Sequence, residues 1–143
     1  MTRHSIPNRV SWGAVGLLLG LVAAPAPGAS GDPGRDVQGN PARGAEIYAR
    51  CTACHALAYN RTGPRHCGLL GRKAGSLPDF DYSGPMRRSG IVWTAATLDR
   101  FLAAPTTVVP GTTMGYAGVP DPVERADLIA WLMREGVSNS ACR

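Results

Sequence analysis

Three segments of the chain carry apolar residues at the three-to-four-residue spacing of a helix, and a further, shorter segment beginning at Ser83 is also expected to be helical. They cover residues 42–54, 83–89, 94–104 and 121–135. Asn40 before the first segment, Ser83 in the second and Thr94 in the third are residues that favour helix N-caps. Pro105 is expected to stop the third helix, because proline lacks a backbone donor and clashes with the preceding turn.

The last helix has the clearest boundaries. It begins at about Asp121, Pro122 occupies its first turn, and Gly136 is expected to end it. Its apolar stripe consists of Leu128, Ile129, Leu132 and Met133. The stripe predicts that this face of the helix, Met133 included, lies in the core.

Residues 56–77 and 108–120 lack sustained periodicity, and glycine and proline interrupt both stretches. The chain shows no alternating strand pattern and no internal repeat. The predicted fold is therefore all-α, one domain of about four to five short helices joined by long loops. Loops of this length are uncommon in a compact domain. A large bound cofactor would supply the apolar core that the loops lack.

The first 30 residues have the pattern of a secretory signal. The start is basic, residues 12–24 are an unbroken apolar and glycine run, and prolines and small residues follow. A retained membrane anchor is the alternative, but the run is shorter than the roughly 18–20 residues that span a bilayer. We predict a periplasmic protein with no stable membrane insertion after cleavage. Its parts would be a signal peptide over 1–30, a flexible leader over 31–40 and the folded domain over 41–143.

One short motif, Cys51-Thr52-Ala53-Cys54-His55, carries specific chemistry. C-x-x-C-H is the attachment pattern of a c-type haem. On a helical turn, residues three and four apart share a face. Both sulfurs can therefore reach one porphyrin edge while His55 offers its imidazole to the iron. A structural zinc site would need four Cys or His ligands, and a thioredoxin-like dithiol would need a βαβ setting, so both alternatives are weaker.

Haem attachment leaves two further cysteines, Cys67 and Cys142. In an oxidising compartment a leftover pair favours a disulfide. The alternative is a buried Cys67 and an unpaired thiol in the tail.

The formal net charge is +5 at pH 7 and falls to +3 when Arg3 and Arg9 leave with the predicted signal, which is too mild for a nucleic-acid-binding surface. Positive charge is concentrated in the middle of the chain, at Arg61, Arg65, Arg72, Lys73, Arg87 and Arg88. A charge cluster is usually a solvated face. Here it could also steer an acidic partner toward the protein.

A haem iron with one histidine needs a second ligand or an open face, and the chain contains four methionines. Met1 leaves with the predicted signal, Met133 belongs to the apolar stripe, and Met86 lies in a short helix. Met114 lies in the loop 109–116, where proline and glycine constrain the backbone and can present a thioether to a metal. A buried filler methionine is the alternative interpretation of Met114.

From about residue 44 to residue 131 the chain resembles the class I c-type cytochromes, in the branch of short bacterial carriers and the mitochondrial protein. The matching stretches are 51–55, 63–64, 68–73, Tyr82, 90–93, 110–112 with Met114, and 125–132. The resemblance implies one covalent haem c held by Cys51 and Cys54, with His55 and Met114 as the two ligands of the iron.

The resemblance also implies supporting roles. The carbonyl of Pro64 would accept a hydrogen bond from the ring of His55 and so fix its tautomer. Further cofactor-binding positions are Arg72, Tyr82 and Trp93 toward the propionates, and Thr112 and Tyr116 beside Met114. The first and last helices would cross, with Ile47 or Tyr48 meeting Leu128 or Trp131.

Four positions depart from the family pattern. Met86 replaces a polar residue that relatives often place near the buried propionate. His66 stands where relatives often have an apolar residue, and we expect a packed or hydrogen-bonded loop histidine there rather than a ligand. Phe101 replaces a frequent tyrosine near the methionine sulfur. Thr113 replaces a lysine that some relatives use for docking.

These features predict an electron-transfer protein rather than an enzyme. It would be a periplasmic, monomeric monohaem cytochrome that passes single electrons between redox protein partners through transient, partly electrostatic contacts. An electron-accepting cytochrome subunit of a periplasmic dehydrogenase is the alternative. A haem peroxidase or gas sensor is less favoured, because it would need an open or labile position on the iron.

Overall fold

The computed structural model describes Met1 and residues 38–143. The predicted signal peptide, residues 1–30, lies outside these residues apart from Met1, and so do residues 31–37 of the predicted leader over 31–40. The helices are α1 (Pro41–Tyr48), α2 (Gly84–Arg88), α3 (Ala95–Ala103), α4 (Pro105–Val108) and α5 (Pro122–Ser138). Within residues 38–143 the only strand-like pairing is an isolated bridge between Lys73 and Val92. The predicted all-α class is confirmed.

Helix α1 begins where its cap predicts and ends earlier than expected. The Asn40 side chain accepts a hydrogen bond from the amide of Ala42 at 2.9 Å. The helix stops at Tyr48 rather than at residue 54, because the chain tightens into a 3-10 turn over Ala49–Cys51. The Thr52 hydroxyl donates to the Ala49 carbonyl at 2.8 Å, which draws this carbonyl away from a regular helical bond.

Pro105 has two roles: it ends α3 and it begins α4. Thr94 and Thr97 form a reciprocal capping box at the start of α3. Pro105 ends α3 as predicted, and it then occupies the first position of α4, a helix that the sequence pattern did not indicate. Proline is well tolerated there, because a first-turn amide has no partner within its helix.

Helix α5 continues past the glycine expected to end it. Gly136 is buried within the helix, and its carbonyl accepts a hydrogen bond from the amide of Gly68 at 3.1 Å. A Cβ at Gly136 would lie 3.4 Å from the carbonyl oxygen of His66. This glycine therefore allows a loop to approach the helix closely. Met133 is 43% exposed, so its predicted place in the core is wrong; it lies at the edge of the buried stripe.

The crossing of α1 and α5 forms the base of the fold. A Cβ at Gly44 would lie 2.1 Å from the carbonyl oxygen of Asp127, so only glycine permits this approach of the two helices. The rings of Tyr48 and Trp131 stack with their centroids 4.0 Å apart, which confirms the predicted contact. Asp127 is buried, at 2% exposure, and accepts a hydrogen bond from Arg43 Nε at 2.7 Å. The hydrophobic pattern did not indicate this buried carboxylate.

The long loop that follows the C-x-x-C-H motif is tied down at both ends. Its later part pairs with the segment before α3: the Gly71 amide donates to the Trp93 carbonyl at 2.8 Å, and the Trp93 amide donates to the Arg72 carbonyl at 3.0 Å. Its earlier part is joined to the C-terminus by a disulfide between Cys67 and Cys142, as the sequence favoured. Among the described residues, no helix combines the length and apolar character needed to cross a bilayer.

Candidate functional site

A cavity of about 450 Å³ lies between the helices and the two long loops, and its walls are mainly apolar. This volume is within the usual range for a small-molecule or cofactor site, roughly 300–1,000 Å³. All of the predicted cofactor-binding residues line this cavity: Cys51, Cys54, His55, Pro64, Arg72, Tyr82, Trp93, Thr112, Met114 and Tyr116. Residues up to 65 positions apart in the sequence therefore meet at one site.

The C-x-x-C-H motif forms a tight turn directly after the 3-10 turn. The Cys51 carbonyl accepts hydrogen bonds from the amides of Cys54 at 3.1 Å and His55 at 2.9 Å. Cys51 and Cys54 are the free cysteines of the described residues. Burial raises the pKa of Cys51 to about 11, so its sulfur is a neutral thiol at pH 7. A redox dithiol depends on a lowered thiol pKa, so this environment disfavours the thioredoxin-like alternative.

The ring of His55 is oriented by the following loop. Its Nδ1 lies 2.8 Å from the carbonyl oxygen of Pro64, which is the hydrogen bond that the resemblance implies. A carbonyl can only accept, so Nδ1 carries the proton and Nε2 keeps the lone pair that a metal needs. Burial lowers the pKa of His55, and the Pro64 hydrogen bond partly opposes this effect. A Cβ at Gly63 would lie 2.3 Å from Cε1 of the ring, so glycine is required beside it.

Met114 lies on a loop whose turn is fixed by backbone bonds. The Thr112 amide donates to the Val109 carbonyl at 3.0 Å, and Gly111 adopts a φ of +81°, a conformation that favours glycine. The Thr112 hydroxyl then accepts from the Met114 amide at 3.3 Å. Met86 from α2 also lines the cavity and is 8% exposed, whereas Met133 is not among the lining residues.

The residues expected near the propionates occupy one side of the cavity. The Arg72 guanidinium donates to the carbonyls of Cys67 and Arg65, each at 2.9 Å, and burial lowers its pKa. Trp93 packs edge-on against Phe101 with ring centroids 5.1 Å apart. Tyr82 packs edge-on against Phe80 at 4.7 Å. The carbonyls of Cys67 and Arg65 thus hold the Arg72 side chain in a fixed position at the cavity wall.

His66 lies beside His55 and was not expected to contribute to the site. Its Nδ1 is 3.1 Å from the hydroxyl of Tyr48, and its ring stacks on the His55 ring at 4.4 Å with an interplanar angle of 21°. Burial lowers the pKa of His66 to about 3, with the His55 and Arg72 side chains acting in the same direction. The expectation of a packed, hydrogen-bonded loop histidine is confirmed.

Sequence reasoning missed most of the apolar wall. The additional apolar lining residues include Leu69, Phe80, Leu98, Leu102, Leu128 and Leu132. The helical members were recognisable as an apolar stripe, but periodicity cannot distinguish a side chain that faces a cavity from one that faces a neighbouring helix.

The basic cluster is partly neutralised within the chain. Arg65 pairs with Asp79, and Arg87 pairs with Asp81. Arg72 is held by carbonyls at the cavity wall. Ion pairs of this kind reduce the long-range field that the sequence cluster suggested.

The residues present fit a covalently attached haem. Two free thiols, an imidazole with an available Nε2 and a thioether line one mainly apolar cavity. The zinc alternative fits poorly, because Cys67 is joined to Cys142 in a disulfide. Among residues 38–143, no group of three or more Cys, His, Asp or Glu side chains is placed to hold a metal ion.

Comparisons with known proteins agree with this chemistry. No protein-family model matches the chain. It is 43% identical over 97 residues to cytochrome c2 of Rhodomicrobium vannielii, covering 66% of this chain and 78% of that protein. It is 41% identical over 110 residues to cytochrome c2 of Agrobacterium tumefaciens, covering 73% and 99%. Among solved structures, cytochrome cH from Methylobacterium extorquens superposes with a TM-score of 0.65 at 38% identity, covering 66% of this chain and 98% of that one.

The all-α fold, the C-x-x-C-H motif in its cavity and the extent of these matches lead to one assignment. The chain belongs to the class I c-type cytochromes, electron-transfer proteins that carry covalently bound haem c.

Proposed function

We propose that the protein is an exported, periplasmic one-electron carrier whose haem iron is bound by His55 and Met114. The observation that carries the proposal is the convergence on one cavity of the motif cysteines, His55 and Met114. The free Nε2 of His55 and the fixed turn before Met114 support these two residues as the ligands. Histidine and methionine together raise the reduction potential of a haem.

The chain's own groups hold and shield the cofactor. Cys51 and Cys54 would anchor it through thioethers, while Pro64 keeps the ligand nitrogen of His55 unprotonated. When bound, haem c supplies a one-electron ferric/ferrous couple. The Arg72 guanidinium would offset negative charge at the cavity wall, and Trp93, Phe101 and their neighbours exclude water from it. Two filled axial positions would leave no place for a substrate on the iron.

Export is supported by two features of the chain. The N-terminal pattern over residues 1–30 is that of a signal peptide. The disulfide between Cys67 and Cys142 is of a kind that persists in oxidising compartments. In this proposal the domain over residues 41–143 functions as a monomer.

Contacts with redox partners would be brief and partly electrostatic. Within residues 38–143, Arg61, Lys73 and Arg88 form no ion pair and remain available for steering. We expect the rate of reduction by a physiological partner to fall as ionic strength rises. A rate that does not depend on salt would remove the electrostatic part of the proposal.

The ligand assignment is tested by replacing Met114 with Ala in the purified holoprotein. We expect loss of the weak red absorption band that ferric methionine-ligated haem shows, together with carbon monoxide binding by the reduced form. Met86→Leu is the matched control, because Met86 lines the same cavity and should leave the band intact. A band that survives in Met114→Ala and disappears in Met86→Leu would assign the ligand to Met86 instead.

The same measurements separate the alternative functions. A dehydrogenase subunit would keep the same spectrum but co-purify in a stable complex from its native source. A haem peroxidase or gas sensor would bind carbon monoxide in the unaltered protein. Purification as a monomer with no response to carbon monoxide supports the free carrier.

A further inference from the structure

We propose that Tyr48 and His66 form a hydrogen-bonded pair that orients the iron ligand His55 and thereby contributes to setting the haem potential. The inference rests on the ligand role of His55 in the proposed function. Tyr48 and His66 also line the cavity. They are positioning residues in this scheme, because neither is proposed as a ligand of the iron, Tyr48 contacts His66, and His66 stacks on the His55 ring.

The geometry that carries the proposal is a continuous series of ring contacts. Trp131 stacks on Tyr48 with centroids 4.0 Å apart, and the Tyr48 hydroxyl lies 3.1 Å from Nδ1 of His66. The His66 ring in turn stacks on His55 at 4.4 Å and 21°. The series therefore links the α1–α5 crossing to the face of the ligand ring.

Each member of the series is held by something besides its neighbour. Tyr48 is buried at the end of α1, and its stacking on Trp131 restricts its ring. The His66 amide donates to the carbonyls of Ala56 and Leu57, both at 3.1 Å. The next residue, Cys67, is joined to the C-terminus by the disulfide. The His66 ring is therefore presented by a fixed backbone and is held at its far side by the Tyr48 hydroxyl.

The His55 ring needs a second restraint. The Pro64 carbonyl fixes one atom, Nδ1, at 2.8 Å, and a ring held at one atom can still tilt about that bond. A flat imidazole stacked on its face limits this tilt. An aliphatic side chain at position 66 would pack there too, but it could not form the hydrogen bond to Tyr48 that sets the plane of the stacked ring.

The pair also places dipoles in a site screened from water. A hydroxyl and a neutral imidazole beside the iron ligand stabilise the positively charged ferric state better than hydrocarbon does, because polar groups in the surroundings of a metal tune its potential. Replacing them with apolar groups should therefore favour the ferrous state and shift the midpoint potential to more positive values.

The test compares three variants of the holoprotein: Tyr48→Phe, His66→Leu and Ile129→Val. Tyr48→Phe keeps the ring that stacks on Trp131 and removes only the hydroxyl, so it remains informative if His66→Leu does not fold. Ile129→Val is the control, because Ile129 is buried on α5 and is not among the residues that line the cavity. The measurements are the midpoint potential and the electron paramagnetic resonance g-values of the ferric form, which report the orientation of axial ligand planes.

We expect Tyr48→Phe and His66→Leu to change the g-anisotropy and to raise the midpoint potential, with the larger change in His66→Leu and neither change in Ile129→Val. A fourth variant that combines Tyr48→Phe with His66→Leu should shift the midpoint potential by less than the sum of the two single shifts, because both substitutions remove the same hydrogen bond. Wild-type g-values and potential in both single variants would overturn the proposal. A His55→Ala variant that keeps the wild-type haem spectrum would instead overturn the proposed function, so the two failures are distinguishable.

Discussion

The disulfide between Cys67 and Cys142 permits a quantitative prediction. The two residues are 75 positions apart in the sequence. In the chain-entropy model a crosslink stabilises the fold by restricting the unfolded ensemble, and a loop of this length gives about 4.5 kcal/mol at 25 °C. Cys51 and Cys54 lie outside the closed loop, so haem attachment does not shorten it. The crosslink also joins the residue after His66 to the 3-10 turn that follows α5. Next to it, the Gly68 amide donates to the Gly136 carbonyl near the end of α5.

Replacing both Cys67 and Cys142 with Ala should therefore lower the free energy of unfolding by about 4.5 kcal/mol at most. The corresponding fall in the guanidinium chloride midpoint is about 1–2 M. The measurement is equilibrium denaturation of the holoprotein, followed by tryptophan fluorescence and by haem absorbance. A reductant should destabilise the wild-type protein by a similar amount and leave the double variant unchanged.

If replacing Cys67 and Cys142 lowered the free energy of unfolding by less than about 1 kcal/mol, no more than an ordinary substitution, this prediction would be refuted. That result would mean that the crosslink does not restrict the unfolded chain. A tryptophan-fluorescence midpoint at a lower denaturant concentration than the haem-absorbance midpoint would mean that unfolding is not a single cooperative step. In that case the C-terminal part of α5 would open separately from the haem-binding loops.

Two further predictions concern single side chains. Gly63→Ala should destabilise the fold by about 1–3 kcal/mol, because its Cβ would lie 2.3 Å from Cε1 of His55. Denaturation midpoints measure this loss, and Gly84→Ala, whose Cβ would meet only the flexible end of Arg88, should have a much smaller effect. Asp127→Asn should cost about 1.5–3 kcal/mol at pH 7, because it removes a charge-assisted hydrogen bond. The Arg43 hydrogen bond lowers the pKa of Asp127 in the folded state, so its contribution is complete above about pH 4 and is lost as the pH falls through the lowered value. Urea denaturation at several pH values should therefore show that the difference in free energy of unfolding between wild type and Asp127→Asn becomes smaller in acid. A difference that stays constant down to about pH 3 would contradict this linkage.

Short-range chemistry explains which parts of the fold could be predicted. Asn40, Ser83 and Thr94 cap their helices as expected, because a cap depends only on residues two or three positions away. Asp121 caps α5 as well, although we expected it inside the helix. Helix ends were less predictable. Helix α1 stops early at a 3-10 turn, where the Thr52 hydroxyl bonds to the Ala49 carbonyl, and this competition is not visible in the hydrophobic pattern.

Glycine shows the limit of local reasoning. Gly136 has the sequence context of a helix stop, but the helix continues through it because the loop at Gly68 needs its carbonyl and the space beside it. In the sequence, Gly63 is simply part of a stretch that matches the family. The structure shows why position 63 must be glycine: any side chain there would clash with the His55 ring. Both requirements come from contacts between segments distant in the sequence.

The sequence by itself determined the chemistry at the centre of the protein. Cys51, Cys54 and His55 form an attachment motif because three- and four-residue spacing on a helical turn puts them on one side of the chain. The mildly basic composition, the helical periodicity and the two leftover cysteines also followed from residues alone.

Only the tertiary structure decided what surrounds that centre. It brought Tyr48 and His66 to the ring of His55, buried Asp127 between α1 and α5, and paired two of the six residues of the basic cluster with nearby carboxylates. The physical reason is that a motif fixes atoms separated by a few bonds. The packing, hydrogen bonds and charge pairs that control a ligand depend on which distant segments the fold brings into contact.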